Sequence, residues 1–275
     1  MFWLCPVCLA KASAERPLTA VGGALSCPLG HGFDVAREGY VNLAGSVGRA
    51  GDDADMCRCR QAFLAGGHYA PFAKALAQLI LSALPNTRAV PRVLDAGCGE
   101  GYYLRALKAE TGTPLCLAGA DLSKEAVKRA AKADGGIAFA VANVCALPVA
   151  SGSLDAALSV FAPIVAAETA RVLRPDGVLA VAAPGEGHLF EFKQALYENP
   201  TRNPEKQPIL PGFDLLHSEE ISINLCLTGQ EIWQLFGMTP YRWKSPPEAA
   251  ERAKSLKTLD TEASFILRLF RKTHA

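Results

Sequence analysis

The sequence predicts an α/β protein in which a Rossmann-like domain with a doubly wound, parallel sheet follows a small N-terminal module. Two observations predict the large domain: short apolar strands alternate with helices from residue 92 onward, and a glycine-rich turn follows the first of them. A third predicts the module, because closely spaced cysteines lie in a segment too short to build its own core. With 275 residues, half of them apolar, the chain suffices for one large core and one small appendage.

The N-terminal module is expected over residues 1–35, where turns are frequent and apolar residues are few. Its pattern is Cys5-x2-Cys8, eighteen further residues, and Cys27-x3-His31. Three thiolates and one imidazole suit a tetrahedral Zn²⁺ ion and leave no open position, so we predict one structural zinc per chain. The alternative is a turn-rich segment whose cysteines bind no metal.

Cysteine usage favours metal over disulfides. The nine cysteines are an odd number without the spacing of a disulfide framework, and the opening residues do not form a secretion signal. A reducing cytoplasm is therefore the expected setting, and paired cysteines there indicate a metal site. No stretch is apolar enough over its length to predict a membrane span.

A connector rich in Gly and Asp is predicted over residues 36–55, followed by the large domain over residues 56–275. Helical patterning begins at Met56, pauses at Gly66 and Gly67, and resumes after Tyr69. The strands of the parallel sheet are expected at 92–94, 115–120, 137–141, 154–161 and 178–183.

The last third of the chain is expected to begin with a loop-rich insertion over residues 186–217. Strands at 219–226 and 263–270, with a helix at 228–237 between them, then close the sheet as an antiparallel pair. Residues 240–275 carry an excess of four positive charges, although the net charge of the whole chain is only +1. This local excess suits an anion-binding surface or a solvated helical face.

The glycine-rich turn lies in the segment VLDAGCGEG, which ends at Gly101. Gly97, Gly99 and Gly101 allow a tight turn and a close approach of the backbone to a ligand. The spacing G-x-G-x-G, with Asp95 two residues before it, differs from the dinucleotide pattern G-x-G-x-x-G. It favours S-adenosylmethionine, whose carboxylate can accept hydrogen bonds from loop N–H groups. Asp95 is expected to orient the loop or to meet the ammonium group through water.

Polar and aromatic residues follow the next strands at the same edge of the sheet. Asp121 stands twenty residues beyond Gly101 at the end of the second strand, where it can accept hydrogen bonds from two ribose hydroxyls. Asn143, after the third strand, could face the adenine, and Phe161 follows the fourth strand. This edge is where open α/β sheets bind ligands. The chain lacks an Asp/Asn-Pro-Pro-Tyr tetrad and a Pro-Cys nucleophile, which leaves methylation of a ring nitrogen open.

Together these segments resemble the bacterial 23S rRNA (guanine-N1)-methyltransferase family over nearly the whole chain. The cysteine pattern leading into GYVNL, and GHY ahead of GCGEGYY, are specific to that family, whereas FAPIVAAETARVLRPDG is shared with methyltransferases at large. The resemblance implies a Rossmann-like class I methyltransferase domain with a zinc ribbon, a cytoplasmic homodimer, and S-adenosylmethionine as the methyl donor. It implies a 23S rRNA hairpin as the partner, methylated on N1 of a guanine.

The resemblance also implies roles for individual residues. It assigns the zinc to Cys5, Cys8, Cys27 and His31. It adds Tyr69 and His188 to Gly99 and Glu100 as cofactor contacts, although by themselves Tyr69 would be a core aromatic and His188 a loop histidine. The connector departs from the family, because GSVGRAGDDAD has one arginine against three aspartates where basic residues are expected. RNA docking through the connector is thus in doubt, and the basic C-terminal third is the other candidate.

Two other functions stay open on the sequence alone. One is a small-molecule methyltransferase that uses the ribbon as a lid, and the other is a non-catalytic RNA-binding or ribosome-assembly module that keeps the cofactor fold. For guanine methylation, a flipped-out base could stack on Phe161, Tyr102 or Trp243. Removal of the N1 proton could fall to Glu100, His188 or a water.

Overall fold

The computed structural model describes residues 2–45, 51–84, 90–204 and 208–273, which form two β-sheets and the helices around them. A three-stranded antiparallel sheet lies near the N-terminus, and an eight-stranded sheet organises the rest. The predicted α/β class with a small N-terminal module is confirmed. No helix among the described residues is long and apolar enough to cross a membrane.

The N-terminal module is built from short elements joined by tight turns. Pro6 occupies the first turn of its helix, where a missing N–H costs nothing, and Ser13 ends that helix with a left-handed backbone conformation. Gly22 and Gly23 have positive φ and form the turn between the first two strands. The elements are α1 (Pro6–Ala12), β1 (Thr19–Val21), β2 (Ala24–Ser26) and β3 (Gly32–Asp34).

The large sheet has a parallel centre and an antiparallel margin. Its strands are β4 (Val41–Asn42), β5 (Arg92–Ala96), β6 (Cys116–Asp121), β7 (Ala138–Val141), β8 (Leu154–Val160), β9 (Leu173–Pro184), β10 (Phe213–Thr228) and β11 (Thr258–Lys272). They are ordered β10-β11-β9-β8-β5-β6-β7-β4. Strands β4 to β9 run parallel, and β11 runs antiparallel between β9 and β10. All seven residues of β8 are buried, as expected for a central strand covered on both faces.

The helices of the large domain are α2 (Ala54–Ala65), α3 (Ala70–Ala83), α4 (Tyr102–Glu110), α5 (Lys124–Ala133), α6 (Ala166–Val172), α7 (Phe190–Leu196), α8 (Gly229–Met238), α9 (Tyr241–Lys244) and α10 (Pro247–Ser255). Helix α2 begins where the Asp53 carboxylate accepts the N–H of Met56 at 2.7 Å. It ends at Gly66, and α3 follows after Tyr69, as the sequence predicts.

Two parts of the last third differ from the sequence prediction. Strand β10 begins at Phe213, six residues earlier than expected, because its first half, FDLLHSEE, is an exposed edge without the regular alternation of apolar and polar residues that marks a half-buried strand. Helix α7 lies inside the segment expected to be loop, and it buries Phe192 and Leu196. In the centre of the sheet, β9 begins at Leu173, five residues before the strand expected at 178–183, and Asp176 within it has the left-handed conformation.

The predicted connector contributes to the large sheet. Val41 and Asn42 pair with Ala140 and Val141 of β7 and form the edge strand β4. After residues 46–50, which lie outside the described residues, Gly51 packs against Ser123, so closely that a Cβ on Gly51 would lie 2.9 Å from it. The limits at residues 36 and 55 stay predictions, but part of this stretch is structural.

The N-terminal module packs against the amino-terminal edge of the parallel sheet. Phe2, Trp3 and Leu18 are buried in one apolar cluster with residues of the large domain, among them Leu94 and Leu147. This shared core explains how a segment with few apolar residues of its own is held in place.

Polar contacts at the same junction lie around the starts of β8 and β9. The Leu4 N–H donates to the Pro148 carbonyl at 2.7 Å. The Glu15 carboxylate accepts the Ser151 N–H at 2.9 Å and lies 3.6 Å from the Arg171 guanidinium. The module therefore docks at the end of the sheet opposite to Asp95, Asp121 and Phe161.

Candidate cofactor crevice and metal centre

The four predicted metal ligands converge in the N-terminal module. The donor atoms of Cys5, Cys8, Cys27 and His31 all lie within 4.8 Å of one another. His31 Nδ1 is 3.5, 3.4 and 3.3 Å from the sulfurs of Cys5, Cys8 and Cys27, and the last two sulfurs are 3.8 Å apart. Zn–S and Zn–N bonds of ~2.3 and ~2.0 Å in a tetrahedron place the donors ~3.5–3.8 Å apart. The spacing and the donor set therefore fit one zinc ion.

Two tight turns present these ligands. Cys5 precedes α1 and Cys8 lies within its first turn. In the second turn, the Cys27 N–H donates to the His31 carbonyl at 3.1 Å, and the Gly30 N–H donates to the Cys27 carbonyl at 2.9 Å. Burial raises the pKa of Cys27, but hydrogen bonds from the N–H groups of Leu29 and His31 contribute to a net decrease, to about 6. Cys27 is thereby favoured as a thiolate, the form that binds metal.

The glycine-rich loop between β5 and α4 requires its glycines. Gly97, Gly99 and Gly101 have φ angles of 90°, 52° and 75°. A Cβ on Gly97 would lie 2.4 Å from the Cβ of Ala162, which immediately follows Phe161. The loop is thus pressed against the segment that ends β8, and larger residues would force the two apart.

Two buried carboxylates in and below this loop have oxygens without a hydrogen-bond partner among the described residues, namely both oxygens of Asp95 and Oε2 of Glu100. Asp95 is 1% exposed and neither of its oxygens has a hydrogen-bond partner. Burial, followed by the charge of Asp121, raises the pKa of Asp95 to about 8. Burial also raises the pKa of Glu100, to about 7, although Arg60 and two further arginines oppose the shift. Buried acceptors of this kind are normally satisfied, so they fit a ligand that brings an ammonium or hydroxyl groups.

Asp121 connects the loop to the end of β6. Its Oδ2 accepts the Gly99 N–H at 2.9 Å, and its Oδ1 accepts the Ser123 N–H at 2.7 Å. Burial raises the pKa of Asp121, and these two backbone donors lower it. Each carboxylate oxygen can accept a second hydrogen bond, so the side chain retains capacity for ribose hydroxyls. Asn143 is exposed, and its Oδ1 accepts the Cys145 N–H at 2.9 Å.

An aromatic cluster lies beside the glycine loop, at the carboxyl edge of the sheet. We define it as Tyr69, Phe72, Phe161, His188 and Phe265. The Phe265 ring is its centre, with ring centroids 4.9, 4.2, 5.9 and 5.0 Å from Tyr69, Phe72, Phe161 and His188. Phe161 has a φ of 55° and is 46% exposed, whereas the other four members of the cluster are buried. The cluster lies at the edge of the sheet beside which open α/β folds bind ligands, a place that we call the crevice, and one of its rings is open to solvent.

His188 has a defined tautomer in this cluster. Its Nδ1 lies 2.6 Å from the Ser264 carbonyl oxygen, which can only accept, so Nδ1 carries the proton and Nε2 keeps a lone pair. Burial lowers the pKa of His188 to about 4, against the opposing effect of the Ser264 hydrogen bond. The side chain is therefore neutral at pH 7. Burial raises the pKa of Tyr69, whose hydroxyl likewise stays protonated.

The structure adds residues that the sequence reasoning did not single out. The Arg60 guanidinium pairs with Asp52 and lies 3.5 Å from the position of a Cβ on Gly99. Phe265 and Ser264 come from β11, which is nearly 100 residues from Phe161. Arg60 lies shortly before the family-specific GHY segment, so the sequence offered a signal for it. Nothing in the sequence of β11 marked Ser264 or Phe265 as part of a site. Tyr102 packs on Tyr103, and Trp243 is 61% exposed on α9, so neither is a member of the aromatic cluster.

Comparisons with known proteins match both parts of the chain to known families. Residues 93–177 match the family model described as a methyltransferase domain, and residues 3–44 match the one described as the N-terminal region of RlmA, a zinc ribbon. The chain is 38% identical over 264 residues to a Micromonospora griseorubida protein named for 23S rRNA guanine-N1 methylation, covering 88% of this chain and 87% of that one. It is 37% identical to the 23S rRNA (guanine(748)-N(1))-methyltransferase of Streptomyces fradiae, with coverage of 92% and 90%.

Among solved structures, the YcgJ protein of Bacillus subtilis aligns at a TM-score of 0.47 and 18% identity, over 73% of this chain and 98% of that one. The predictions of an S-adenosylmethionine-dependent methyltransferase domain and of a zinc ribbon are confirmed. Because relatives above 30% identity align over about nine tenths of both chains, this chain belongs to the 23S rRNA (guanine-N1)-methyltransferase family.

Proposed function

We propose that this chain transfers a methyl group from S-adenosylmethionine to N1 of a guanine in 23S rRNA. The observation that carries the proposal is the crevice at the carboxyl edge of the sheet. There a glycine loop with unpartnered carboxylates meets an aromatic cluster with one exposed ring, Phe161. The activity named for the Streptomyces fradiae relative supports the same acceptor.

The cofactor would lie along the glycine loop. We propose as its contacts Tyr69, Asp95, Gly97, Gly99, Glu100, Gly101, Asp121 and His188. The methionine part would lie against the glycine loop, most of whose N–H groups already donate to Ala120, Asp121 and Cys98. The buried Asp95 would face the ammonium group, directly or through water. Asp121 would accept hydrogen bonds from the ribose. Tyr69 and His188 would border the end of the site that lies against Phe265.

The zinc would be structural. We propose Cys5, Cys8, Cys27 and His31 as its four ligands, which leave no position for a substrate. The ribbon docks at the amino-terminal edge of the sheet, and the seven residues of β8 separate that edge from Phe161 by ~20 Å. This placement does not support a ribbon that closes over the crevice of its own chain, so a small-molecule enzyme with a ribbon lid is not favoured.

The acceptor would enter as a flipped-out base. A guanine inside an RNA hairpin is inaccessible to in-line transfer, and an exposed aromatic ring at the crevice offers a surface on which it could stack. We propose Phe161 for this role, because it alone in the aromatic cluster is substantially exposed. With ribosomal RNA as substrate, we further propose a cytoplasmic setting, and a homodimer by analogy with the family.

The chain's own residues mainly supply alignment. When bound, S-adenosylmethionine provides the methyl group on a sulfonium centre. The glycine loop and Asp121 fix one reactant, and Phe161 fixes the other beside it, across the close contact between Gly97 and Ala162. Holding two reactants in this way is worth several powers of ten in rate.

The test is incubation with labelled S-adenosylmethionine and unmodified 23S rRNA, followed by reverse transcription. N1-methylguanine cannot form a Watson–Crick pair, so we expect one new stop, next to a guanine. Changing that guanine to adenine in the same hairpin should remove both the stop and the label. Label that appears in small metabolites but not in rRNA would refute the proposal. Light scattering of the purified chain tests the homodimer separately.

A further inference from the structure

We propose that His188 is the catalytic base of the reaction, and that its Nε2 takes the proton from guanine N1. The inference rests on the proposed function, because it needs a guanine as the acceptor. It deepens that function by assigning the proton transfer to one atom of one side chain.

The turn after β9 holds the His188 ring rigidly. The Ser264 carbonyl accepts both the Gly185 N–H at 2.9 Å and His188 Nδ1–H at 2.6 Å. A Cβ on Gly185 would lie 2.0 Å from Ser264 Oγ, so the turn is in direct contact with β11. The His188 N–H closes the turn on the Gly185 carbonyl at 3.2 Å. The ring can therefore not rotate freely, and Nε2 keeps one direction.

His188 borders the surface on which we place the guanine. Its ring centroid lies 6.2 Å from that of Phe161, and Phe161 adjoins Ala162, which touches the glycine loop at Gly97. A base stacked on Phe161 would thus lie between the loop and His188. Within the aromatic cluster, only His188 has a ring nitrogen that can accept a proton.

The other candidates are less suited to the task. Asp95 lies beneath the loop and is almost wholly buried, and its raised pKa of about 8 keeps it protonated at pH 7. Glu100, whose pKa burial raises to about 7 against the charges of Arg60, Arg105 and Arg129, belongs to the glycine loop, where we place the cofactor, and not to the aromatic cluster. His188 is neutral at pH 7 because burial lowers its pKa, so its lone pair is available throughout the physiological range. Lys193, which also lowers this pKa, donates to Thr201 and Asn203.

In the proposed step, the proton leaves guanine N1 for His188 Nε2. The electron pair that remains on N1 forms the new N–CH₃ bond. The electron pair of the broken S–CH₃ bond stays on sulfur, which becomes a neutral thioether. The imidazolium that results is disfavoured by its burial and releases its proton to water, which restores the neutral ring. A positioned base contributes ~10²–10⁴-fold to the rate, and the lowered pKa of His188 places its contribution toward the lower end of that range.

The experiment compares His188→Ala and His188→Asn with wild type, in single turnovers on the 23S rRNA hairpin at saturating S-adenosylmethionine. The asparagine amide can still donate to the Ser264 carbonyl but has no acceptor at the position of Nε2. We expect both variants to slow N1-methylguanine formation by at least ~10²-fold. Because His188 is one of eight proposed contacts of S-adenosylmethionine, affinity for it, measured by calorimetry, should fall by much less than the rate, and by no more than about tenfold. Added imidazole should restore at least about tenfold of the lost rate in the alanine variant, whose cavity can admit it.

His217→Asn is the matched control. His217 lies on the exposed edge strand β10, at a register position four residues from the carboxyl end of β9, and should methylate like wild type. The inference is overturned if both variants keep the wild-type rate, or if affinity for S-adenosylmethionine falls in proportion to the rate. It is also overturned if the rate is lost without rescue by imidazole. Failure of the wild-type protein to methylate the hairpin would instead refute the proposed function.

Discussion

The zinc ribbon and the cofactor crevice each bring several side chains together, but the ribbon uses residues that are close in the sequence and the crevice uses residues that are far apart. All four zinc ligands come from the first 31 residues, in two turns whose spacing is visible in the sequence. The crevice joins residues from α3, the glycine loop, the end of β8, the turn after β9, and β11. A local site depends on turn geometry and one ion, whereas a dispersed site depends on the packing of the whole sheet.

The largest expected effect comes from breaking the metal centre with Cys27→Ala. Structural zinc contributes ~10–16 kcal/mol of apparent binding energy to small zinc modules, and three ligands hold it poorly. We expect zinc to fall from one per chain to near zero, and the fluorescence of the buried Trp3 to shift to longer wavelength. Metal analysis and emission spectra measure this.

The same variant tests how separate the two regions are. The ribbon docks at the opposite edge of the sheet, so affinity for S-adenosylmethionine should change less than about tenfold. Loss of cofactor binding together with zinc would show that the ribbon is needed to hold the crevice together. Cys145→Ala, at an exposed position, is the control and should retain both zinc and cofactor binding.

The second effect comes from the glycine loop, with Gly97→Ala. The added Cβ would lie 2.4 Å from that of Ala162, at a φ of 90° that an alanine rarely adopts. We expect the free energy of unfolding to fall by ~2–4 kcal/mol, together with cofactor affinity. Gly152→Ala is matched, since its φ is 60° with nothing within 4 Å, and should cost only ~1 kcal/mol. If Gly97→Ala and Gly152→Ala unfolded at the same urea concentration, the close contact between Gly97 and Ala162 would be contradicted.

The third effect is an increase in stability, which we expect for Asp95→Asn. The pKa of Asp95 is about 8 when folded and ~4 when unfolded, so the unfolded state releases the proton first as pH rises. Wild-type stability therefore falls between pH 4 and 8, and the variant avoids this loss. At pH 7 without cofactor we expect Asp95→Asn to be more stable by about 1–3 kcal/mol, but to bind S-adenosylmethionine at least about tenfold more weakly. Stability curves that run parallel from pH 4 to 8 would argue against a buried protonated carboxyl.

The smallest effect is expected at the junction of the two regions, with Glu15→Gln. Hydrogen bonds from Ser151, opposed by burial, lower the pKa of Glu15, and Arg171 adds to the decrease. The stabilisation is therefore present above the unfolded-state pKa of ~4 and is lost as pH falls through the lower folded value. Because the contact is partly exposed, the loss at pH 7 should be below ~1 kcal/mol. Glu110→Gln, an exposed glutamate of α4, is the reference, and a large loss at Glu15 alone would mean that this contact holds the ribbon in place.

Site residues that belong to a local sequence pattern could be predicted, whereas those brought together from distant segments could not. The loop glycines, Asp121 and the zinc ligands were accessible from the sequence, because each belongs to a short pattern next to a predicted strand or turn. Arg60 lies in a segment that resembles the family, but no metal-binding or ligand-binding pattern surrounds it in the sequence. Ser264 and Phe265 could not be predicted, because a serine and a phenylalanine inside a strand of a binding site cannot be distinguished by sequence from those of an ordinary core strand.

The sequence by itself determined the α/β class, the zinc ribbon, the glycine loop and the family, since hydrophobic period, turn residues and ligand spacing are properties of neighbouring residues. Only the tertiary structure decided which edge of the sheet the ribbon covers and which rings surround His188. It also fixed the tautomer of that histidine, through a carbonyl 76 positions away. The reason is physical: a lone pair is aimed, and a carboxyl is desolvated, by atoms that the fold brings together from distant parts of the chain.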